Sequence, residues 1–437
     1  MQFSNYNQVQ EYILSIPKFS KKTTKQNLIN IYNKLNINDM KIIHVAGTNG
    51  KGSVCAFLTS ILVTAGKKTG TFISPHLVSM TERIRINEIP VEQRLFMDSF
   101  NKVYKAVEEN IDEGGVHPSF FEILFLMAMV IFFMENVDYV ILETGMGGRM
   151  DATNIFDKPL ISVITSISMD HMEILGDTIE KIAHEKAGII KRNVPVIFYG
   201  EDERVRHIIE KESENNHSDT VCVKKSDILS IKKSENNIAF SYKSGYDVNS
   251  TVIVPFIAEY QTINALLAVR TIECLNLVYG ENISEKDIYT GIKNTYWEAR
   301  MEQICQGVFL DGAHNPEGIE AFVSTVKDYN TKGKKIILFS AVKEKQYNAM
   351  IKDIVQNTGA EEFIITHIDN KRGIPVDIIK EEMTKYISCE HITEANTVVE
   401  AFEIAMRKKQ ECDTLFIVGS LYLAGEIKKC LSEIKEG

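Results

Sequence analysis

Lys41-Ile42-Ile43-His44-Val45-Ala46-Gly47-Thr48-Asn49-Gly50-Lys51-Gly52-Ser53 reads as a short β-branched strand, a glycine turn and the start of a helix. Behind it Val54, Phe57, Leu58, Ile61 and Leu62 recur at helical spacing. A strand that enters a helix through Gly47, Gly50 and Gly52 aims backbone N–H groups and the positive helix end at one point, and that point suits phosphate. Lys51 adds a mobile cation, and Ser53 a hydroxyl for Mg2+. The spacing Gly-x-x-Gly-Lys-Gly-Ser is shorter than the usual Walker pattern, because Val45 stands where that pattern has its first glycine. Gly47-Thr48-Asn49 also breaks the Gly-x-Gly of the dinucleotide fingerprint. The loop is a variant P-loop, weighed against a plainer alternative: a glycine-rich turn that happens to carry a lysine.

Outward from this loop the pattern repeats. Gly70 to Ile73 is a strand ending in Ser74-Pro75-His76-Leu77, and Asp138 to Leu142 one ending in Glu143-Thr144-Gly145-Met146-Gly147-Gly148-Arg149-Met150-Asp151-Ala152-Thr153-Asn154. Leu160 to Ile167 ends in Ser168-Met169-Asp170-His171, and Pro195 to Tyr199 is a further strand. Between them lie helices, among them the apolar run Phe120 to Met134 capped by His117-Pro118-Ser119, and the one holding His184-Glu185-Lys186-Ala187-Gly188. Alternating strands and helices predict an α/β fold with a doubly wound, mostly parallel sheet. Ligands of such sheets sit beyond the carboxyl ends of the strands. The P-loop, Ser74, Glu143 and Asp170-His171 are therefore expected to converge. Thr81 to Asn87 alternates charge with apolar residues and reads equally as a solvated edge strand or as part of a site.

The first forty residues read as polar helices with apolar stripes at Val9, Tyr12 and Ile13, then at Leu28, Ile31, Tyr32 and Leu35. Residues 200–256 shift to short alternating pieces and suggest a small antiparallel β appendage. Helices over 260–276 and 284–293 follow. A second βα series has strands at Val308 to Leu310, Lys335 to Phe339, Glu362 to His367 and Leu415 to Val418. The expected organisation is an N-terminal nucleotide domain over 1–295 and a Rossmann-like α/β domain over 296–437.

A chain of 437 residues exceeds one ordinary core, and its 44% hydrophobic and 25% charged composition is that of a globular protein. The net charge of −10 argues against a nucleic-acid binder, which would usually show a basic face. Seven scattered cysteines without a Cys-x-x-Cys pair fit a reducing cytoplasm and no zinc knuckle. Met-Gln-Phe-Ser-Asn-Tyr lacks the basic start and apolar core of a signal peptide. The Phe120–Met134 run contains Glu122 and falls short of the ~20 residues that span a bilayer. No membrane association is expected, and no fixed-period repeat is present.

Together these pieces resemble the folylpolyglutamate and dihydrofolate synthases of the Mur ligase superfamily. The resemblance rests on 44–53, on Ser74-Pro75-His76-Leu77 with Glu82-Arg83-Ile84, and on Glu143 through Asn154. Asp170-His171, Glu185-Lys186-Ala187-Gly188-Ile189, Arg300, Asp311-Gly312-Ala313-His314-Asn315-Pro316 and Gly419-Ser420-Leu421-Tyr422-Leu423-Ala424-Gly425-Glu426 complete it. Departures are local: Ala258 where the family usually has glycine, Trp297-Glu298-Ala299-Arg300 against its Trp-Pro-Gly-Arg, and Glu344-Lys345-Gln346 against its Asp-Lys-Asp.

The resemblance implies an ATP-dependent amide ligase that adds L-glutamate to dihydropteroate, to folates or to both through an acyl phosphate. ATP and Mg2+ would be its cofactors, with K+ as a further candidate. Gly47, Thr48, Asn49, Gly50, Lys51, Gly52 and Ser53 would hold the phosphates. Ser53 would ligate one Mg2+, and Ser74, Glu143 and His171 a second. Asn264, Arg300 and Asp311 would bind ATP, and a monomer is expected. Lys186 would be carbamylated in support of the metal site; read bare, it faces a helix end or pairs with Glu185. His314 would line the catalytic cleft, or else organise its loop. Ser119, Phe120, Phe121, Glu122, Met150, Asp151 and Ala152 would line the pterin pocket, although phenylalanines opening an apolar helix are more often core. Read alone, Glu143 would be a capping or salt-bridged carboxylate and His171 a structural histidine. Two alternatives stand beside the ligase. A peptidoglycan-precursor Mur enzyme would carry a further N-terminal domain, and a P-loop kinase or nucleotide-gated binding module would not need the 311–316 loop.

Overall fold

The computed structural model describes residues 3–17, 24–243, 251–343, 346–369 and 372–436, so Glu344 and Lys345 of the departure noted above lie outside the described residues. Contacts divide the chain into two compact units. One comprises residues 1–230, 241–253 and 262–295, the other 231–240, 254–261 and 296–437.

The first unit is built on eight strands: β1 (Ile42–Ala46), β2 (Thr69–Phe72), β3 (Ile84–Ile86), β4 (Ile89–Pro90), β5 (Tyr139–Glu143), β6 (Ile161–Ile164), β7 (Val196–Tyr199) and β8 (Thr220–Val223). Their order is β4-β3-β2-β5-β1-β6-β7-β8. From β2 to β8 the pairing is parallel, and β3 and β4 add an antiparallel edge. Every residue of β1 and β5 is buried, as expected of central strands covered by helices on both faces. The Lys51–Thr64 helix is buried almost all round rather than along one stripe. The Phe120–Met134 helix lies in the largest apolar cluster, together with Val9, Ile13, Leu28 and Ile31 of the two N-terminal helices. That placement accounts for its unbroken hydrophobicity. Among the described residues no helix is long and apolar enough to cross a membrane.

Two stretches differ from the sequence expectation. Residues 200–223 are not part of a β appendage: they form the Glu203–Asn215 helix and β8, the last parallel strand. That helix presents Val205 and Ile209 to a core also lined by Val196 and Phe198, a stripe masked by seven charged neighbours. Only β9 (Ile228–Lys233), β10 (Ile238–Tyr242) and β11 (Thr251–Val254) make a separate three-stranded sheet. Thr81 to Asn87 is likewise no solvated edge strand. A short 3-10 turn, Met80–Arg83, precedes β3, and both Arg83 and Arg85 are 8% exposed.

The second unit carries β12 (Glu302–Cys305), β13 (Val308–Leu310), β14 (Lys335–Phe339), β15 (Glu362–Thr366), β16 (Ile392–Ala395) and β17 (Thr414–Val418). Their order is β12-β13-β17-β14-β15-β16, parallel except for β12 against β13. Ala299 and Met301, just before β12, hold φ of 51° and 49°. The chain thus adopts with alanine a left-handed conformation that costs a non-glycine residue roughly 1 kcal/mol.

Candidate active site

Within the first unit β1 delivers the phosphate loop between the loops that follow β5 and β6. Gly47 has φ 152° and Gly50 φ 86°. A Cβ on Gly47 would stand 1.8 Å from Thr165 Oγ1, and one on Gly50 2.5 Å from Asn264 Oδ1, so both positions exclude a side chain on two grounds. Residues after β6 brace the loop. Thr48 N donates to Ser166 O at 2.7 Å, Thr165 Oγ1 to Asn49 O at 2.7 Å, and Ser168 N to Thr48 Oγ1 at 3.1 Å.

Replacing Gly47 by alanine is expected to lower stability by about 2 kcal/mol and to weaken ADP binding. Thr165→Ala in the same chain should recover part of both losses. Denaturant unfolding and ADP calorimetry read the pair, and a tolerated Gly47→Ala would show that the close approach is not built in.

Two lysines converge on one carbonyl. Lys51 Nζ donates to Gly47 O at 3.1 Å and to Thr48 O at 3.0 Å, and Lys186 Nζ donates to Gly47 O at 2.6 Å. Lys186 is 4% exposed. Burial, with the Lys51 charge next, holds its pKa down at about 7, against the opposing pull of Asp170 and Asp151. Its amine is therefore neutral in an appreciable fraction of molecules near neutrality, the form that reacts with electrophiles.

Glu143, 4% exposed at the end of β5, accepts from Ser74 N at 2.9 Å, which brings the expected Ser74 and Glu143 together. His171 is an exposed residue in a left-handed conformation, with Nε2 at 4.0 Å from Asp170 Oδ2. Among the described residues no three His, Cys, Asp or Glu side chains gather into a metal-binding group. The Ser53 hydroxyl is buried in the first helical turn, and Thr144 Oγ1 and Ser168 Oγ are buried hydroxyls without a hydrogen-bond partner. A carboxylate and hydroxyls are hard oxygen donors. They fit Mg2+, which keeps several waters and takes phosphate oxygens, better than a soft metal or a fully caged ion.

Of the expected pterin-pocket residues, Ser119 and Glu122 form a reciprocal helix cap: Glu122 Oε2 accepts from Ser119 N at 2.6 Å, and Ser119 Oγ from Glu122 N. Phe120 is buried beneath the Arg83 guanidinium at 5.4 Å, and Phe121 packs on Phe72 at 5.3 Å. Met150 is 75% exposed. Ala152 opens the 3-10 turn Ala152–Ile155, and Asp151 caps it. Arg83 Nε donates to His76 Nδ1 at 2.7 Å, a pair that neither residue's local pattern announces.

In the second unit Asp311 Oδ1 accepts from Ala313 N and Oδ2 from Met301 N, each at 2.8 Å. Burial raises its pKa, opposed chiefly by Arg300, and the Tyr260 hydroxyl also donates to it. Arg300 Nη1 donates to Ala299 O at 2.8 Å. His314 Nδ1 donates to Gly312 O at 2.7 Å, which fixes the Nδ1–H tautomer.

The Mur ligase middle domain matches residues 45–272, and the Mur ligase glutamate ligase domain matches residues 299–421. The dihydrofolate synthase/folylpolyglutamate synthase of Bacillus subtilis is 33% identical over 440 residues, covering 98% of this chain and all of that one. The chain belongs to the dihydrofolate/folylpolyglutamate synthase family of Mur ligases. The solved structure of E. coli FolC in complex with DHPP and ADP matches this ligase with TM-score 0.86 at 25% identity over both whole chains. Folylpolyglutamate synthase from Thermotoga maritima matches it with TM-score 0.83 at 28% identity, over 98% of this chain and 96% of that one. A glutamate ligase domain of this extent removes the kinase and binding-module alternative, because neither has a use for it.

Sequence reasoning missed Thr165, Ser166 and Ser168 as braces of the phosphate loop. The available signal was their place directly after an apolar strand, the same criterion that picked out Asp170-His171.

Proposed function

We infer that the ligase uses ATP to join L-glutamate to dihydropteroate and to folate glutamates, releasing ADP and phosphate. The observation that carries this is the convergence of Lys51, Lys186 and the braced phosphate loop beside Glu143, on a chain with both Mur ligase domains.

A carboxylate is a poor acyl donor, since its leaving group would be oxide. Attack of the acceptor carboxylate on the γ-phosphorus of ATP breaks the bond to ADP and gives an acyl phosphate. The glutamate amine then adds to the acyl carbon, loses a proton and expels phosphate. Positioning and charge neutralisation are the main demands of the first step. N–H groups of residues 48–53 and Lys51 hold the phosphates, with Asn264 beside Gly50. Ser53 would ligate one Mg2+, and Ser74, Glu143 and His171 a second; when bound, the metal neutralises phosphate charge. Arg300 and Asp311 act on the nucleotide, the latter on ribose hydroxyls, and His314 on the phosphates or the incoming glutamate. Lys186, carbamylated by CO2, supports the metal site. Asp151 and its loop, with Ser119 to Glu122, Met150 and Ala152, shape the acceptor site.

Activity as a cytoplasmic monomer fits a chain that carries every one of these residues itself and among whose described cysteines none forms a disulfide.

The test is ATP-dependent phosphate release with L-glutamate, run separately with dihydropteroate and with a reduced folate monoglutamate, and with products resolved by mass. A gain of one glutamate on both acceptors is expected. A gain on one assigns the enzyme to that step alone, and phosphate release indifferent to glutamate with no product overturns the ligase.

A further inference from the structure

His44 lies in the middle of β1, three residues before Gly47, and is buried in the sheet. Its Nε2 stands 2.8 Å from Thr153 Oγ1. The Thr153 hydroxyl in turn donates to Asp151 Oδ1 at 2.6 Å. A hydroxyl has one proton, so with Asp151 ionised the oxygen can only accept from His44, which must carry Nε2–H. Burial, followed by the Lys191 and Lys25 charges, holds the imidazole pKa down at about 3 and keeps the ring neutral, consistent with that single tautomer. Asp151 is otherwise committed to its own loop: Oδ1 accepts from Thr153 N at 3.0 Å and Oδ2 from Met146 N at 2.8 Å. Asn154 Nδ2 ties the same turn to Arg149 O and to Gly188 O, at the end of the helix that carries Lys186.

We propose that His44 is a positioning residue of the acceptor site, acting through Thr153 on the Asp151 carboxylate and the 145–155 loop. The strand that delivers the phosphate loop thereby also sets the shape of the loop that receives the acceptor acid. Lengthening or breaking either hydrogen bond frees the turn while leaving the phosphate loop, which is braced from β6, in place. Acceptor affinity should fall without a matching loss of nucleotide affinity. The inference rests on the ligase function above and on Asp151 as part of the acceptor site.

Steady-state kinetics on four variants test it, with dihydropteroate and a reduced folate as acceptors. His44→Leu is expected to raise the acceptor KM by about tenfold, the equivalent of one lost hydrogen bond of this kind, with the KM for ATP unchanged. His44→Gln, whose amide nitrogen reaches the place of Nε2, should restore it. Thr153→Val should match His44→Leu, and the double variant should be no worse than either. If His44→Leu does not fold, His44→Gln and Thr153→Val still decide. An acceptor KM indifferent to Thr153→Val, effects that add in the double variant, or KM values for ATP and acceptor rising together overturn the relay. Wild type that adds no glutamate overturns the ligase function instead.

Discussion

Lys51→Met is expected to lower kcat/KM for glutamate addition by about 10³-fold with the fold intact. The size follows from what the residue does: it is the mobile cation of the phosphate loop, and phosphoryl transfer relies on charge placed before the reaction begins. The intact fold follows from what it touches. Its contacts are with Thr48 O, in the half-buried part of the loop, and with Gly47 O, a buried carbonyl that keeps its bond from Lys186 Nζ when Lys51 is gone, so stability should change by no more than about 1 kcal/mol. Lys51→Arg keeps the charge but brings a planar fork to a loop that receives a compact ammonium, and it should not restore activity. Mass-resolved turnover beside thermal unfolding reads both halves. A Lys51→Met enzyme with more than about a tenth of wild-type activity would show that the charge is not used.

Lys186→Met should abolish measurable turnover and, in CO2-free buffer, make the protein more stable at neutral pH. With a folded pKa of about 7 against an ordinary 10.5, the unfolded chain binds the extra proton throughout that window. Stability of the wild type therefore rises as pH climbs from about 7 toward 10.5, and the burial cost is fully present below about 7. Methionine has no such cost. The variant should be ahead by on the order of 2–4 kcal/mol at pH 7, less whatever the lost bond to Gly47 O contributes, and level near pH 10. Urea unfolding across that range reads it, and curves that stay parallel would show that Lys186 is not held neutral. The same neutral amine can attack CO2, forming an N–C bond and releasing one proton. Bicarbonate should then raise wild-type activity, and isotopic bicarbonate should give a carbamate signal that Lys186→Met lacks. Lys51→Met should also relax the depression of the Lys186 pKa, because the Lys51 charge is its second cause.

Local pattern was enough for the parts whose physics is local. The strand, glycine turn and helix at 42–64 follow from β-branching, glycine placement and helical spacing, and the parallel sheet follows from alternation. What pattern could not reach was set by distant partners. Arg83 and Arg85 look like solvated charges, yet Arg83 lies between His76 and the Phe120 ring. Ser119 and Glu122 matched family positions but satisfy each other as a helix cap, a local Ser-x-x-Glu pattern that the sequence does carry. The charged helix at 203–215 hid its two inward residues among polar ones. His44 looked like one more strand residue until Thr153, more than a hundred positions later, was placed against it.

The middle position of β1 also limits how this protein can change. Its phosphate loop is fastened on one flank to Thr165 and Ser166 and shares, through His44, a fastening with the turn at Asp151 on the other. A replacement in any one of the three loops is therefore tested against the other two at once. Drift in such a trio must come as matched pairs of substitutions or not at all, whereas the outer strands β4 and β8, each with a single neighbour in the sheet, can vary one residue at a time.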